Sequence, residues 1–542
     1  MSYVLSLVIA LPFVGFLLTL GLGKSQRAAR GIALAFSLVE TGLVTLLLLA
    51  FLAPSLSIVE ALLGPLIPEP TPLLPGQGPL PPRSVELYFV ERYPWVPQLG
   101  ISYIVGLDGL SLPLLWLTPL LTTLSIVFQW NESQRPALFY ALLLFLEFSL
   151  SGVFLALDFF AFAVFWELVL LPMFFLIGIW GGPNRRYASL KFLLYTHVGF
   201  VIMLISIFAL FWFYSETVNE TVYGVVGQRT FDMTAFLHAA IRHMDQGAAF
   251  LELGVQLPVF LGFLFAFLVK LPSVPFHTWL PDAHVEAPTA GSVLLAGVLL
   301  KMGGYGLFRI NFGILPDAAQ DLWWVLAIFG IVSMVYAAFV CLAQRDLKRL
   351  IAYSSVGHMG FVLLGAATLT TIGAVGAVFQ LFNHGLITAV LFMLAGSVKH
   401  STGTRDIPAL RGLGRAMPQF SIVLIISFFA SLGLPGLNSF WSEFMVFLGT
   451  YSAANFADMR RLVFIPLISI VVTAAYYLYT MQRILFGDLP KELGEPHDLP
   501  SYERVSYVVL VALIILVGIF PIPFLSLMDT YVRQSLPWLG GG

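Results

Sequence analysis

Apolar runs of about twenty residues recur along the whole of this chain, and that succession leaves it one kind of fold. A hydrocarbon core about 30 Å thick is crossed by roughly 20 apolar residues in a helix. With that ruler fourteen segments stand out: 2–23, 31–53, 111–130, 136–156, 158–181, 190–214, 253–275, 288–312, 321–342, 350–368, 373–398, 418–450, 462–485 and 505–527. The expectation is an all-α polytopic membrane protein with about fourteen transmembrane helices, because in lipid each backbone polar group must find its partner inside the protein. Composition agrees: 59% of the residues are apolar, 10% are charged and the mean hydropathy is +0.91, where an ordinary soluble domain is about 25% charged. The first segment lacks a basic leader and a cleavage site and reads as a retained helix. The twelfth is long enough to be two pieces.

Lysine and arginine orient the bundle, since short cytoplasmic loops carry the excess of both. Placing the loop after the first segment inside puts seventeen basic residues there, among them Lys24, Arg185, Arg345, Lys399, Arg405 and Lys491, and eight opposite. An even number of crossings then leaves both termini outside. Two loops on the outer face are long. Residues 54–110 begin proline-rich and turn aromatic around Trp95, where a short hairpin is expected, and residues 215–252 are polar enough to cap the surface.

Several function classes fall away. A net charge of −2 argues against a nucleic-acid partner, which needs a basic stripe. The single cysteine, Cys341, makes no intrachain disulfide, no cysteine-ligated zinc site and no thiolate cradle for an iron–sulfur cluster. Any redox chemistry linked to this protein takes place elsewhere.

Among the few ionisable residues inside apolar segments are Glu167 in the fifth, Lys270 at the end of the seventh, Lys301 near the middle of the eighth, His358 and His384 in the tenth and eleventh, and Glu443 in the twelfth. A charge at a helix centre costs about 2.5–3.5 kcal/mol on insertion scales, so each asks for a partner or a task. Glu167 and Lys270 read either as a structural ion pair locking two helices or as part of a conduction path. Lys301 has no carboxylate on its own helix, which favours the functional reading. Burial weakens a lysine's hold on its proton and a neighbouring carboxylate restores it, so such a group can be switched by nearby charge. Each histidine taken singly is as consistent with hydrogen-bonded packing as with proton transfer. Asp108 reads as an interfacial helix cap, and Glu147, flanked by Leu146 and Phe148, as a second buried carboxylate or a partner contact.

Prolines break two of these segments, at Lys270-Leu271-Pro272 in the seventh and at Leu434-Pro435-Gly436 in the twelfth. Backbone freed at membrane depth is tolerated where protein or water satisfies it, and paired broken helices point to the ion path of inverted-repeat transporters. The cluster His277, Asp282, His284 and Glu286 suggests a metal site by composition, but Pro275, Pro281 and Pro288 make an irregular turn with no ligands in register.

The stretch from Lys270 through Pro272, Pro275, His277, Trp279, Asp282, His284 and Pro288 to Lys301 and Arg309, together with Asp346 to Gly360 and Asn383-His384-Gly385, closely resembles the antiporter-like M subunit of NADH:quinone oxidoreductase, respiratory complex I. The resemblance implies two inverted antiporter-like repeats, here 111–312 and 313–485, preceded by two helices and an outer loop in 1–110 and followed by an inner loop and last helix in 486–542. It implies a proton relay of Glu167, Lys270, Lys301, His358, His384 and Glu443. Glutamate at the last position, where related subunits usually carry lysine, favours the M type over its L and N sisters. It further implies no cofactor or metal in this chain. NADH or another donor, FMN, iron–sulfur clusters and quinone would sit in partner subunits, with L- and N-like subunits, small membrane subunits and lipid as neighbours in an energy-transducing membrane such as the cytoplasmic one.

The function expected is therefore proton translocation driven by redox energy released in other subunits, with no activity in this chain alone. The alternative is an Mrp-type cation/proton antiporter subunit driven by an ion gradient.

Overall fold

The computed structural model describes residues 3–52, 86–223, 227–245, 251–453 and 457–540. The proline-rich run from Pro68 to Pro82 lies outside them. Thirteen described helices are long and apolar enough to cross a bilayer. They include α1 (Val4–Leu22), α2 (Gln26–Leu52), α3 (Ser111–Phe128), α4 (Pro136–Leu155), α5 (Phe159–Trp180), α6 (Arg185–Tyr223), α7 (Leu253–Lys270) and α8 (Thr289–Phe312). There follow α9 (Trp323–Leu342), α10 (Leu347–Ala367) and α11 (Thr371–Thr402). The expected twelfth segment is split into α12 (Pro418–Ser431) and α13 (Asn438–Ser452), and α14 (Met459–Leu485) and α15 (Ser501–Ile519) complete the set.

Short polar residues set several starts. Asp158 accepts from the Phe160 and Ala161 N–H groups at the head of α5, Asp346 from Arg349 N–H at α10, and Thr370 from Gly373 N–H at α11, each satisfying donors a helix start leaves orphaned. Gly403 ends α11 at φ +75°, a left-handed conformation that glycine adopts without a Cβ clash.

Both breaks foreseen at proline are present. After Lys270 the chain runs irregularly to the short helix Trp279–Glu286, and Leu432–Leu437 interrupts the twelfth segment. A third irregularity is new: Leu295–Leu299 and Leu307–Phe312 in α8 are π-helical and bracket Lys301–Gly306. The widened turn is common at functional sites.

The expected hairpin is formed by β1 (Tyr88–Val96) and β2 (Ile101–Leu107), antiparallel with Tyr93 opposite Tyr103. It ties both chain ends to one face. Leu5 N–H donates to Glu91 Oε1 at 2.8 Å, and Glu86 N–H to Gln534 Oε1 at 3.3 Å. The outer cap is built differently from a plain loop, because α6 runs on to Tyr223 and a separate helix, Met233–Asp245, packs beneath the hairpin. Arg92 and Asp232 form an ion pair there.

Burial is uneven. The apolar windows of α8 and α11 are buried throughout, whereas much of α1, α2, α6 and α14 is left facing outward. A helix apolar on all sides belongs at a bundle's centre. Polar groups on α8 and α11 therefore sit in the driest part of the protein.

Candidate functional site

Lys301 occupies the centre of α8 with its side chain fully buried. Its Nζ donates to the Ala296 carbonyl, on the π-helical turn just before it, and lies 2.7 Å from His384 Nδ1 on α11. The approach depends on glycine. A Cβ on Gly385 would fall 2.8 Å from the Gly297 carbonyl oxygen and 2.7 Å from Leu117 Cδ1, and one on Gly303 would fall 2.7 Å from the backbone of Phe267 and Leu271. With larger residues α8 would stand off from α11 on one side and from the end of α7 on the other.

From His384 the polar groups continue. The rings of His384 and His358 are 5.5 Å apart between centroids. His358 Nε2 lies 2.9 Å from Ser431 Oγ, at the break after α12, and its Nδ1 is 3.2 Å from Gln380 Nε2 and 3.7 Å from Glu443 Oε1. Ser439 Oγ donates to Glu443 Oε1 at 3.0 Å, and Ser442 donates to Gln380 Oε1. His358 and Glu443 both line a cavity of about 20 Å³, whose wall also carries Ser354, Ser431 and Tyr476 among apolar residues such as Met334 and Phe361. A cavity of that size has room for one water beside these polar groups. Four of the six sequence-derived residues, Lys301, His384, His358 and Glu443, thus form one line from α8 to α13.

Glu167 and Lys270 are arranged differently from the expected ion pair. Glu167 Oε1 is 2.6 Å from His197 Nδ1 on α6, while its Oε2 has no hydrogen-bond donor. Lys270 Nζ, buried and without an acceptor among the described residues, lies over the faces of Trp166 and Phe192, 5.5 and 5.8 Å from their centroids. The two residues do not touch. The negative face of Trp166, next to Glu167 in sequence, supplies part of what a carboxylate would.

His197 escaped the sequence reading although it stands alone in the apolar run of α6, the same signal that singled out the other residues. Gln380, Ser431, Ser439 and Tyr477, whose hydroxyl is 2.6 Å from Ser431 Oγ, left no comparable trace, since neutral polar residues are ordinary in helices. Two further basic residues are buried. Lys348 Nζ donates to the Ala287 carbonyl at 2.6 Å. Arg309, at the end of α8, pairs with Asp108 at 2.6 Å. Asp108 also caps α3 as expected, accepting from the Leu110 and Ser111 N–H groups.

The cluster from His277 to Glu286 diverges. Asp282 takes Lys191 and Arg349, Glu286 accepts from Asn184 N–H, His284 stacks on Phe392 and His277 packs between Tyr336 and Tyr353. Among the described residues no group of three potential ligands converges.

The chain is similar to known proteins over most of its length. Residues 156–473 match the family model described as NADH:quinone oxidoreductase/Mrp antiporter, TM. The chain is 44% identical to F(420)H(2) dehydrogenase subunit M of Methanosarcina mazei over 82% of its own length and 86% of the relative's. It is 42% identical to an NAD(P)H-quinone oxidoreductase chain 4 of Synechococcus sp. over 85% and 84%. Among solved structures, a chain of respiratory complex I from Thermus thermophilus superimposes with a TM-score of 0.81 at 28% identity, covering 99% of this chain and all of that one.

Proposed function

Because the chain belongs to the transmembrane family of NADH:quinone oxidoreductase and Mrp antiporter subunits, as its subunit 4/M type, we propose that it carries protons along Lys301, His384, His358 and Glu443. The observation that supports this is the line itself: four buried titratable side chains on four helices, each close to the next. Titratable groups that feel one another's charge make a pump with no cofactor of their own.

Lys270 and Glu167 are the input end. A charge displaced at Glu167, against His197 or towards Lys270, alters the field at the end of α7, which Gly303 holds against α8. The proton affinity of Lys301 then changes, and the proton passes through His384 and His358 to Glu443. An arrangement with Glu167 bonded to His197 and Lys270 held on aromatic faces is one of two states such a switch requires.

The chain is a multi-pass membrane subunit of an oxidoreductase complex, and the finer roles extend that. The electron carriers, FMN and iron–sulfur clusters with NADH or another donor and a quinone, belong to partner subunits. Cys341, this chain's one thiol, is buried and bonded to the Leu350 carbonyl. Neighbouring L- and N-like antiporter subunits and small membrane subunits complete the membrane arm, with lipid elsewhere. Both termini lie on the outer side, in keeping with the basic residues of the opposite loops. The relatives' names favour this reading over an Mrp-type antiporter driven by an ion gradient.

The test uses the intact complex in proteoliposomes, with protons moved per electron as the readout. Glu443→Gln and His384→Leu should lower that ratio while the complex still assembles. Unchanged ratios in both would exclude the line as a path.

A further inference from the structure

One pair of buried acids has no part in this line. Glu40 on α2 and Glu147 on α4 are both fully buried, at 0% exposure. Ser151 Oγ donates to Glu40 Oε1 at 3.0 Å and Ser37 Oγ to Glu147 Oε1 at 3.2 Å. No protein donor reaches the Oε2 atom of either, and the crossed serine bonds bring the two carboxyl groups to one place between α2 and α4, because Ser37 is one turn from Glu40 and Ser151 one turn from Glu147. Among the described residues no lysine, arginine or histidine forms an ion pair with either acid.

We propose that Glu40 and Glu147 form a proton-binding site in the N-terminal bundle, holding one proton between their facing carboxyl groups. Two ionised carboxylates in contact without a cation are untenable in so dry a place, and like-charged acids sharing a site resolve the conflict by keeping a proton. The proton supplies the one donor that two facing acceptor oxygens lack.

The surrounding groups fit a proton better than a metal cation. Ser37 and Ser151 point hydrogens at the outer oxygens. Thr41 Oγ1 is 2.7 Å from the Ser37 carbonyl of its own helix and 3.0 Å from Thr123 Oγ1, so it is occupied by helix and hydroxyl partners. A cation would need oxygen lone pairs turned inward. From α1, packed against both helices, comes no ionisable side chain.

The site is lateral to the transport line. α3 stands between them, with Thr123 bonded to Ser37 on one side, and Leu117 and Leu121 against Gly385 and Gly297, next to Lys301, on the other. The proton is held in place there and takes no part in transport.

Infrared difference spectroscopy of the intact complex in H2O and D2O tests this. The expected result is a deuterium-sensitive carboxylic C=O band that disappears in Glu40→Gln and equally in Glu147→Gln, because a glutamine amide donates to the remaining carboxylate and leaves it ionised. Ser151→Ala, which keeps both acids, should shift the band without abolishing it, and serves if a glutamine variant fails to assemble. Glu147→Gln should keep a normal proton-to-electron ratio. The proposal is overturned by a band indifferent to all three changes, by two bands each lost in one variant, or by a carboxylate-only spectrum that responds to added sodium. A fall in the ratio for Glu147→Gln would overturn the lateral placement.

Discussion

Arg309→Met should destabilise the subunit more than its distance from the central line suggests. Arg309 Nη1 and Asp108 Oδ2 are 2.6 Å apart, with both side chains 3% exposed. The guanidinium also lies 5.2 and 5.3 Å from the ring centroids of Tyr305 and Tyr531. Removing one partner of a buried pair leaves an uncompensated charge and costs about 3–5 kcal/mol. Asp108 Oδ1 keeps donors in Leu110 N–H, Ser111 N–H and Ser111 Oγ, so the lower end, about 3 kcal/mol, applies. That is roughly a hundredfold in the folded-to-unfolded ratio. Asp108→Leu with Arg309→Met removes both charges and should recover most of the loss, since apolar replacement of a buried pair is often neutral. The assay heats the detergent-solubilised complex and follows retention of the subunit by native electrophoresis, comparing rates because such unfolding is irreversible. A double variant as fragile as the single one would refute the reasoning and leave packing as the cause.

Gly385→Ala should cost about 1–3 kcal/mol by overpacking and part Lys301 from His384, seen as a pumping defect larger than the loss of assembled complex. His197→Leu removes the hydrogen-bond partner of Glu167, and it should impair coupled turnover in the same sense as Glu167→Gln; normal turnover would make the pair incidental. His277, pushed down to about 4 by burial and then by Lys191, is neutral in the folded protein near neutral pH. Its contribution is present above its ordinary value near 6.5 and is lost as pH falls from there through about 4. His277→Gln, which does not titrate, should therefore flatten the acid side of the complex's thermal-stability profile between those values, and an unchanged profile would contradict it.

Much of the fold was legible because lipid imposes a simple ruler. The apolar segments overlap described helices, of which thirteen rather than fourteen are long and apolar enough to cross a bilayer, the twelfth segment being split, and Pro272 and Pro435 marked both breaks, since a missing N–H has the same consequence in any context. The line from Lys301 to Glu443 was legible for a related reason: ionisable residues in apolar helices converge because each needs partners. What stayed hidden is relative placement. Nothing in the sequence says that Lys270 rests on the face of Trp166 or that Glu167 meets His197. The π-helical turns on either side of Lys301–Gly306 have no periodicity of their own in the sequence. Glu147 was visible as an anomaly, but its partner Glu40 lies 107 residues earlier, near the middle of a helix that reads as plain membrane anchor. Arg309 and Lys348 look like ordinary loop-flanking charges until burial is known.

The central claim is that Lys301 gives up its proton during turnover, and protons moved per electron in proteoliposomes containing the complete complex test it most directly. Lys301→Ala removes the carrier. Lys301→Arg keeps a cation of similar reach whose proton does not leave within a protein. With assembly verified, the account predicts a ratio for Lys301→Arg nearly as low as for Lys301→Ala, whereas a normal ratio for Lys301→Arg would contradict it and make Lys301 a structural charge.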